Sequence, residues 1–147
     1  MPSSADHSDF ETMLETDGEI FFPCHGFSMY PLIHPMEDIV HIIKPSREYK
    51  VQDVVLYKDR EHHYVLHRIQ RIRKDTVILF GDHNVFLDAP IEKNQILGLL
   101  SDIRKKDGRI IDMDTQRRFH GWFLVHFFHI HVFFLWCCHL LWKGKER

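Results

Sequence analysis

Ser28 is the first residue whose type and surroundings could support covalent catalysis. It lies in the segment Gly-Phe-Ser-Met-Tyr-Pro-Leu, residues 26–32, which follows an apolar run. Glycine and proline hold a chain in sharp turns, where a serine hydroxyl is accessible to a carbonyl carbon. A serine in a turn also commonly bonds its own backbone, so this segment alone does not distinguish a nucleophile from a turn residue.

Three side chains downstream could supply the general base and the orienting carboxylate that a serine nucleophile needs. His67 lies in an apolar run, and imidazole can accept a hydroxyl proton near neutral pH and return it to a leaving amine. Asp82 and Asp88 follow the next apolar run, and a carboxylate can orient a histidine ring and stabilise its cation. Taken singly, His67 could be a core histidine, and the aspartates a turn residue and a loop cap.

In order and spacing, these residues resemble the type I signal peptidase family and its serine-peptidase relatives. The resemblance covers residues 19–100 and rests on Ser28-Met-Tyr-Pro, His67-Arg68-Ile, Gly-Asp82-His-Asn and Asp88. The His67-Arg68 pair is similar to the endoplasmic-reticulum and archaeal branch, whereas the bacterial branch has a lysine there. The resemblance implies that Ser28 is the nucleophile and His67 the general base. It further implies that Asp88 orients His67 and that Asp82 supports the site.

Two features depart from the family pattern. Many members have a serine two residues before the nucleophile that helps to stabilise the oxyanion, and Gly26 stands there in this chain. The Ser28 backbone N–H is therefore expected to do more of that work. Members also usually carry a membrane anchor before the serine, where this chain has a polar segment. Both departures motivate an alternative, a non-catalytic membrane-anchored module that binds a peptide or a subunit.

The enzyme hypothesis implies a precursor peptide or protein as the substrate, from which a signal or leader segment is cleaved. We expect the substrate to bind in an extended form beside residues 20–24, where strand addition would satisfy its main-chain groups. Apolar side chains near the nucleophile are expected to form shallow pockets for small or apolar residues. These substrate-binding candidates are Phe22, Phe27, Met29 and Tyr30.

Short runs of β-forming residues must position these side chains. The runs occur at residues 20–24, 39–43, 54–57, 64–72, 76–80, 96–103 and 109–113. Such spacing predicts a mainly β fold, an antiparallel domain of signal-peptidase type, preceded by a short helix over 10–15 and followed by a hydrophobic helix. Asp107-Gly108 indicates a type I′ hairpin between the last two runs.

Composition excludes several other classes of protein. The 147 residues suffice for one domain with its own core, and a net charge of −2 argues against a nucleic-acid binder. Three cysteines, two of them adjacent, favour a reducing compartment, or burial of the thiols, over a disulfide framework. The histidines and cysteines lack zinc-site spacing, and no glycine-rich phosphate loop is present. We therefore predict neither a metal nor a cofactor.

The C-terminal region differs in character from the rest of the chain. Residues 122–142 contain no Asp, Glu, Lys, Arg, Gly or Pro, and begin and end with tryptophan. This run predicts a spanning helix, although four histidines leave open an interfacial helix, a helix packed on a partner or a buried soluble element. Six Lys or Arg lie within about 20 residues before the run and three follow it, which favours a cytoplasmic catalytic domain. The predicted organisation is a polar segment 1–18, a β catalytic domain 19–116 and a membrane-associated segment 117–147.

Overall fold

The fold is mainly β, as the sequence predicts, and it contains two short helices, of which only the first was predicted. The computed structural model describes residues 8–116, together with Ile130, Phe133 and Cys137. Its helices are α1 (Ser8–Thr16) and α2 (Met113–Gln116), and a 3₁₀ turn spans Lys93–Gln95. Its strands are β1 (Glu19–Pro23), β2 (Ile39–Ile43), β3 (Val54–Lys58), β4 (Tyr64–Ile72), β5 (Thr76–Phe80), β6 (Ile91–Glu92), β7 (Ile96–Arg104) and β8 (Ile110–Asp112).

The strands form one antiparallel half-barrel sheet. Its order is β1-β2-β7-β3-β4-β5-β6, and β8 pairs with β7. The long strand β7 therefore lies between β2 and β3, while β3, β4 and β5 follow one another as neighbours. This arrangement brings His67 on β4 close to the loop that follows β5, which carries both candidate aspartates. The signal-peptidase type of this fold stays a prediction.

Side-chain alternation gives the curved sheet two apolar cores. Leu56 and Leu66 belong to one cluster, whereas Val55, Tyr57 and Ile69 belong to the other. Successive strand residues point to opposite faces, so strands buried on both faces read as continuous apolar runs. Leu14, from the segment that composition marks as polar, is also buried in the first cluster. The helix α1 is thus attached to the domain by its apolar face.

The last hairpin forms where the sequence predicts it, but the predicted type I′ turn is wrong. A type I′ turn needs positive φ at both central residues, and of this pair only Gly108 has it, with φ 87°. The Gly108 N–H instead donates to the Lys105 carbonyl, and the Lys105 N–H donates to the Arg109 carbonyl. Asp107 accepts hydrogen bonds from the Arg109 backbone and side chain, which hold the longer turn.

The ends of the elements differ from the sequence-based boundaries by a few residues. The predicted last strand, 109–113, is shortened to β8, because Met113 begins α2 and is buried in the first core cluster. The two-residue strand β6 was not predicted. It is too short to show the alternation by which strands are recognised in a sequence.

The predicted hydrophobic segment 117–147 lies outside the described residues, apart from three positions within it. Across the part of the chain that the structure describes, no helix is both long and apolar enough to cross a membrane. The spanning helix over 122–142, its alternatives and the cytoplasmic placement of the catalytic domain therefore stay predictions.

Candidate active site

His67 and Asp88 form a close polar pair. The His67 Nδ1 and Asp88 Oδ2 atoms lie 2.5 Å apart, and the His67 side chain is only 8% exposed. A carboxylate accepts only, so the neutral ring places its proton on Nδ1 and leaves Nε2 unprotonated. This is the tautomer in which a histidine can accept a proton from a serine hydroxyl.

Tyr57 also contacts Asp88, and sequence reasoning did not single it out. Its hydroxyl donates to the same Asp88 Oδ2 at 3.2 Å. Burial, together with the nearby Asp88 charge, raises the pKa of Tyr57 well above its ordinary value. The phenol therefore stays protonated at any pH at which the protein would work, and remains a donor that restrains the carboxylate. The strand register could identify Tyr57, because this residue pairs with Val65 and is thus the diagonal neighbour of His67.

Gly81 lets the serine loop approach the sheet next to His67. A Cβ atom at Gly81 would lie 2.6 Å from the Ser28 carbonyl oxygen and 2.9 Å from the Ser28 Cβ. Arg68 pairs with Phe80 and Ile69 with Leu79, so continuing this register by one residue sets Gly81 opposite His67. Directly opposed positions of an antiparallel pair have Cβ atoms about 5 Å apart. Ser28 thus packs against the position directly across from His67.

Hydrogen bonds hold the Ser28 turn from both sides. The Tyr30 N–H donates to the Phe27 carbonyl at 3.0 Å, which closes a turn around the serine. The Ser28 carbonyl accepts from the His83 N–H at 2.8 Å, which attaches the turn to the loop after β5. Within residues 8–116, neither the hydroxyl nor the N–H of Ser28 donates a hydrogen bond, and none joins its hydroxyl to His67. Both Ser28 groups are therefore available to a substrate.

Asp82 takes part in a different ion pair from Asp88. Its two carboxylate oxygens accept from Arg68 Nε at 2.8 Å and Arg68 Nη2 at 2.7 Å. Both side chains are almost completely buried, at 0% and 1% exposure. At the other end of the same loop, the Asp88 N–H donates to the Leu79 carbonyl. The loop from Asp82 to Asp88 is thus attached to the sheet at both ends, which fixes the Asp88 carboxylate beside His67.

An open cleft of about 790 Å³ begins at Ser28. Phe22 and Met29, two of the four predicted substrate contacts, line it. Phe27 and Tyr30, the other two, lie outside the cleft and are exposed, and the Tyr30 ring packs edge-on against His83. The role of all four residues in binding substrate stays a prediction.

Cys24 also lines the cleft, and its chemistry differs from that of a reactive thiol. Burial, reinforced by the charge of Asp38, raises the pKa of Cys24 to about 11. A thiol in this state is mostly protonated near neutral pH and is a weak nucleophile. Among the described residues, no group of His, Cys, Asp and Glu is arranged to hold a metal ion.

Comparison of the whole chain with protein-family models and with curated proteins finds no match to either.

Proposed function

We propose that the chain is a serine endopeptidase of signal-peptidase type that cleaves a signal or leader segment from a precursor peptide or protein. The observation that carries the proposal is the His67–Asp88 hydrogen bond, next to a serine turn that packs across from His67. A histidine oriented by a carboxylate beside an accessible serine is the arrangement that acyl transfer requires. The resemblance in the order of the motifs agrees with this geometry.

The reaction would proceed in two steps. The Ser28 Oγ attacks the scissile carbonyl carbon, and its proton passes to Nε2 of His67. His67 then gives this proton to the leaving amine as the carbon–nitrogen bond breaks, which leaves an acyl group on Ser28. A water molecule, deprotonated by His67, attacks that ester, and the proton returns to Ser28 as the acid is released. Asp88 stabilises the imidazolium in both steps, while the Ser28 N–H is available to the oxyanion.

A second candidate is a non-catalytic binding module on the same fold. It is favoured by Gly26, which offers no hydroxyl to an oxyanion and has no atom within 4 Å of its Cβ position. The absence of a hydrogen bond between Ser28 and His67 in the described residues points the same way, although such bonds often tighten only when substrate binds.

A covalent probe separates the two candidates. A small alkyl fluorophosphonate should add to purified protein with a stoichiometry of one, and peptide mapping should locate the adduct on Ser28. The Ser28→Ala variant should not react, whereas Ser46→Ala, a matched change in a serine that lines a different pocket, should react like the parent protein. Absence of labelling across the pH range in which the fold is intact would support the binding module instead.

The membrane association through residues 122–142 belongs to the same proposal. An endopeptidase attached in this way, with its β domain on the cytoplasmic side, would process a cytoplasmic precursor or the cytosolic end of a membrane protein. Protease protection of the chain in sealed vesicles tests this placement. Digestion of the β domain only from the non-cytoplasmic side would contradict it.

A further inference from the structure

The cleft beside Ser28 is larger than a site for small side chains requires. Its volume of about 790 Å³ lies within the range of about 300–1,000 Å³ in which proteins bind drug-sized ligands. A methyl group would leave most of this apolar surface in contact with water, which is unfavourable. The dimensions therefore favour a bulky occupant.

The lining of the cleft is predominantly apolar and comes from five parts of the fold. Leu56, Leu66 and Met29 are buried residues that line the cleft from β3, β4 and the serine loop. Phe10 of α1 and Phe22 of β1 form another part of the wall. Binding to such a surface is favourable for an aliphatic or aromatic group, which leaves water, and unfavourable for a charged group, which would lose its hydration.

The helix α1 forms one wall of this cleft and is held against the sheet by ring contacts and hydrogen bonds. The ring of Phe10 stacks on Phe22 with a centroid separation of 4.8 Å, and meets the ring of Tyr64 edge-on at 5.6 Å. The next residue, Glu11, accepts hydrogen bonds from Lys58 and from the Tyr64 hydroxyl, at 2.5 and 2.9 Å. These contacts attach α1 to β3 and β4, so Phe10 is held in place.

The neighbouring backbone indicates a peptide as the source of the apolar group. Among the described strands, β1 pairs only with β2 and is the first strand of the sheet order. Phe22 and Pro23 of β1 line the cleft, so the cleft adjoins this edge strand. The unpaired N–H and C=O groups of an edge strand can bind an extended chain, which a lipid acyl chain cannot exploit.

We infer that this cleft is a specificity pocket for a bulky apolar side chain of a peptide substrate, close to the scissile bond, with Phe10 of α1 as a determinant. The inference rests on the proposed peptidase function and adds the substrate class. It also narrows the expectation from the sequence, which is shallow pockets for small or apolar residues, to one bulky apolar residue.

Peptidyl phosphonates that differ only in the residue beside phosphorus test this inference on the whole protein. The phenylalanine probe should modify Ser28 at least about tenfold faster than the alanine probe, measured by intact mass spectrometry. In Phe10→Ala, the ratio of the phenylalanine-probe rate to the alanine-probe rate should fall below about threefold. Phe21→Ala removes a neighbouring exposed ring that lies outside the cleft, and should keep the full ratio.

Three other outcomes would overturn the inference, each in a different way. Equal or faster labelling by the alanine probe would refute the size preference while leaving the peptidase function intact. Faster labelling by a long-chain than by a short-chain alkyl fluorophosphonate, together with equal rates for the two peptide probes, would point to a lipid substrate. No labelling by any probe, including the small fluorophosphonate, would overturn the proposed function itself. The comparison in the parent protein decides the size preference even if Phe10→Ala fails to fold.

Discussion

Replacing Gly81 by alanine should disturb the serine turn directly. The added Cβ would lie 2.6 Å from the Ser28 carbonyl oxygen, 2.9 Å from the Ser28 Cβ and 2.9 Å from Asn84 Nδ2. Two of these atoms belong to the serine itself, and its carbonyl is also bonded to the His83 N–H. The turn can therefore relieve the overlap only by moving away from the sheet.

The size of the effect follows from two opposing contributions. Overpacking of this kind costs about 1–3 kcal/mol of the free energy of unfolding. Gly81 does not have a positive φ, so alanine also lowers the conformational entropy of the unfolded chain. This contribution stabilises the fold by about 0.4–1 kcal/mol. The net loss lies between about 0 and 2.6 kcal/mol, and its midpoint of about 1.3 kcal/mol lowers the melting temperature by about 5 °C in a domain of this size.

Gly81→Ala should also slow the reaction at Ser28, and the rise in activation free energy should exceed the loss in the free energy of unfolding. A displacement of a reacting group by about 1 Å can reduce a rate by about 100-fold. The assay is thermal unfolding together with the rate at which fluorophosphonate labels Ser28, both measured below the melting transition. Gly26→Ala is the control for stability, since its Cβ meets no atom within 4 Å and should not lower the melting temperature. A Gly81→Ala protein with the parent stability and labelling rate would refute the reasoning.

The remaining predictions concern the groups around His67. Asp88→Asn should lower the rate of peptide cleavage by about 10³–10⁴ with little change in melting temperature, because the amide cannot stabilise the imidazolium. Asp82→Asn should instead lower the free energy of unfolding by about 3–5 kcal/mol, since the buried Arg68 guanidinium loses its charge partner. Denaturant unfolding measures this loss, and a stable but inactive Asp82→Asn protein would exchange the roles of the two aspartates. Tyr57→Phe should reduce the rate about 3- to 30-fold through loss of one hydrogen bond to a carboxylate. In the Asp88→Asn background it should have a much smaller effect, and equal effects in both backgrounds would show that Tyr57 does not act through Asp88.

The strands were predictable because their signal is local. β4 and β5 have the predicted boundaries, since each is a run of β-forming residues bounded by polar or turn residues. The type of the last turn could not be predicted, because Asp-Gly is compatible with several hairpin loops. The choice among them depends on the hydrogen bonds of Lys105 and Arg109. The helix α1 was found, whereas its role as a wall of the cleft depends on contacts of Phe10 with distant residues.

The candidate site shows the same division between local and long-range information. The motif order suggested Ser28, His67 and both aspartates, and the structure shows that Asp88 contacts His67 whereas Asp82 pairs with Arg68. Neither Tyr57 nor the part played by Gly81 could be read from the sequence, because each requires the register of neighbouring strands. Phe27 and Tyr30 were proposed from their proximity to Ser28 along the chain, which does not determine on which side of the turn they lie.

Cleavage of a peptide bond is the most direct test of the proposed function. A library of extended peptides incubated with the purified chain should yield new amino and carboxyl termini, detected by mass spectrometry, at sites that share a bulky apolar residue. The Ser28→Ala and His67→Ala variants, shown by circular dichroism to be folded, should yield none above the uncatalysed background. Equal product formation by the parent protein and Ser28→Ala, or no product from the parent protein with any member of the library, would contradict the assignment of Ser28 as the nucleophile of an endopeptidase.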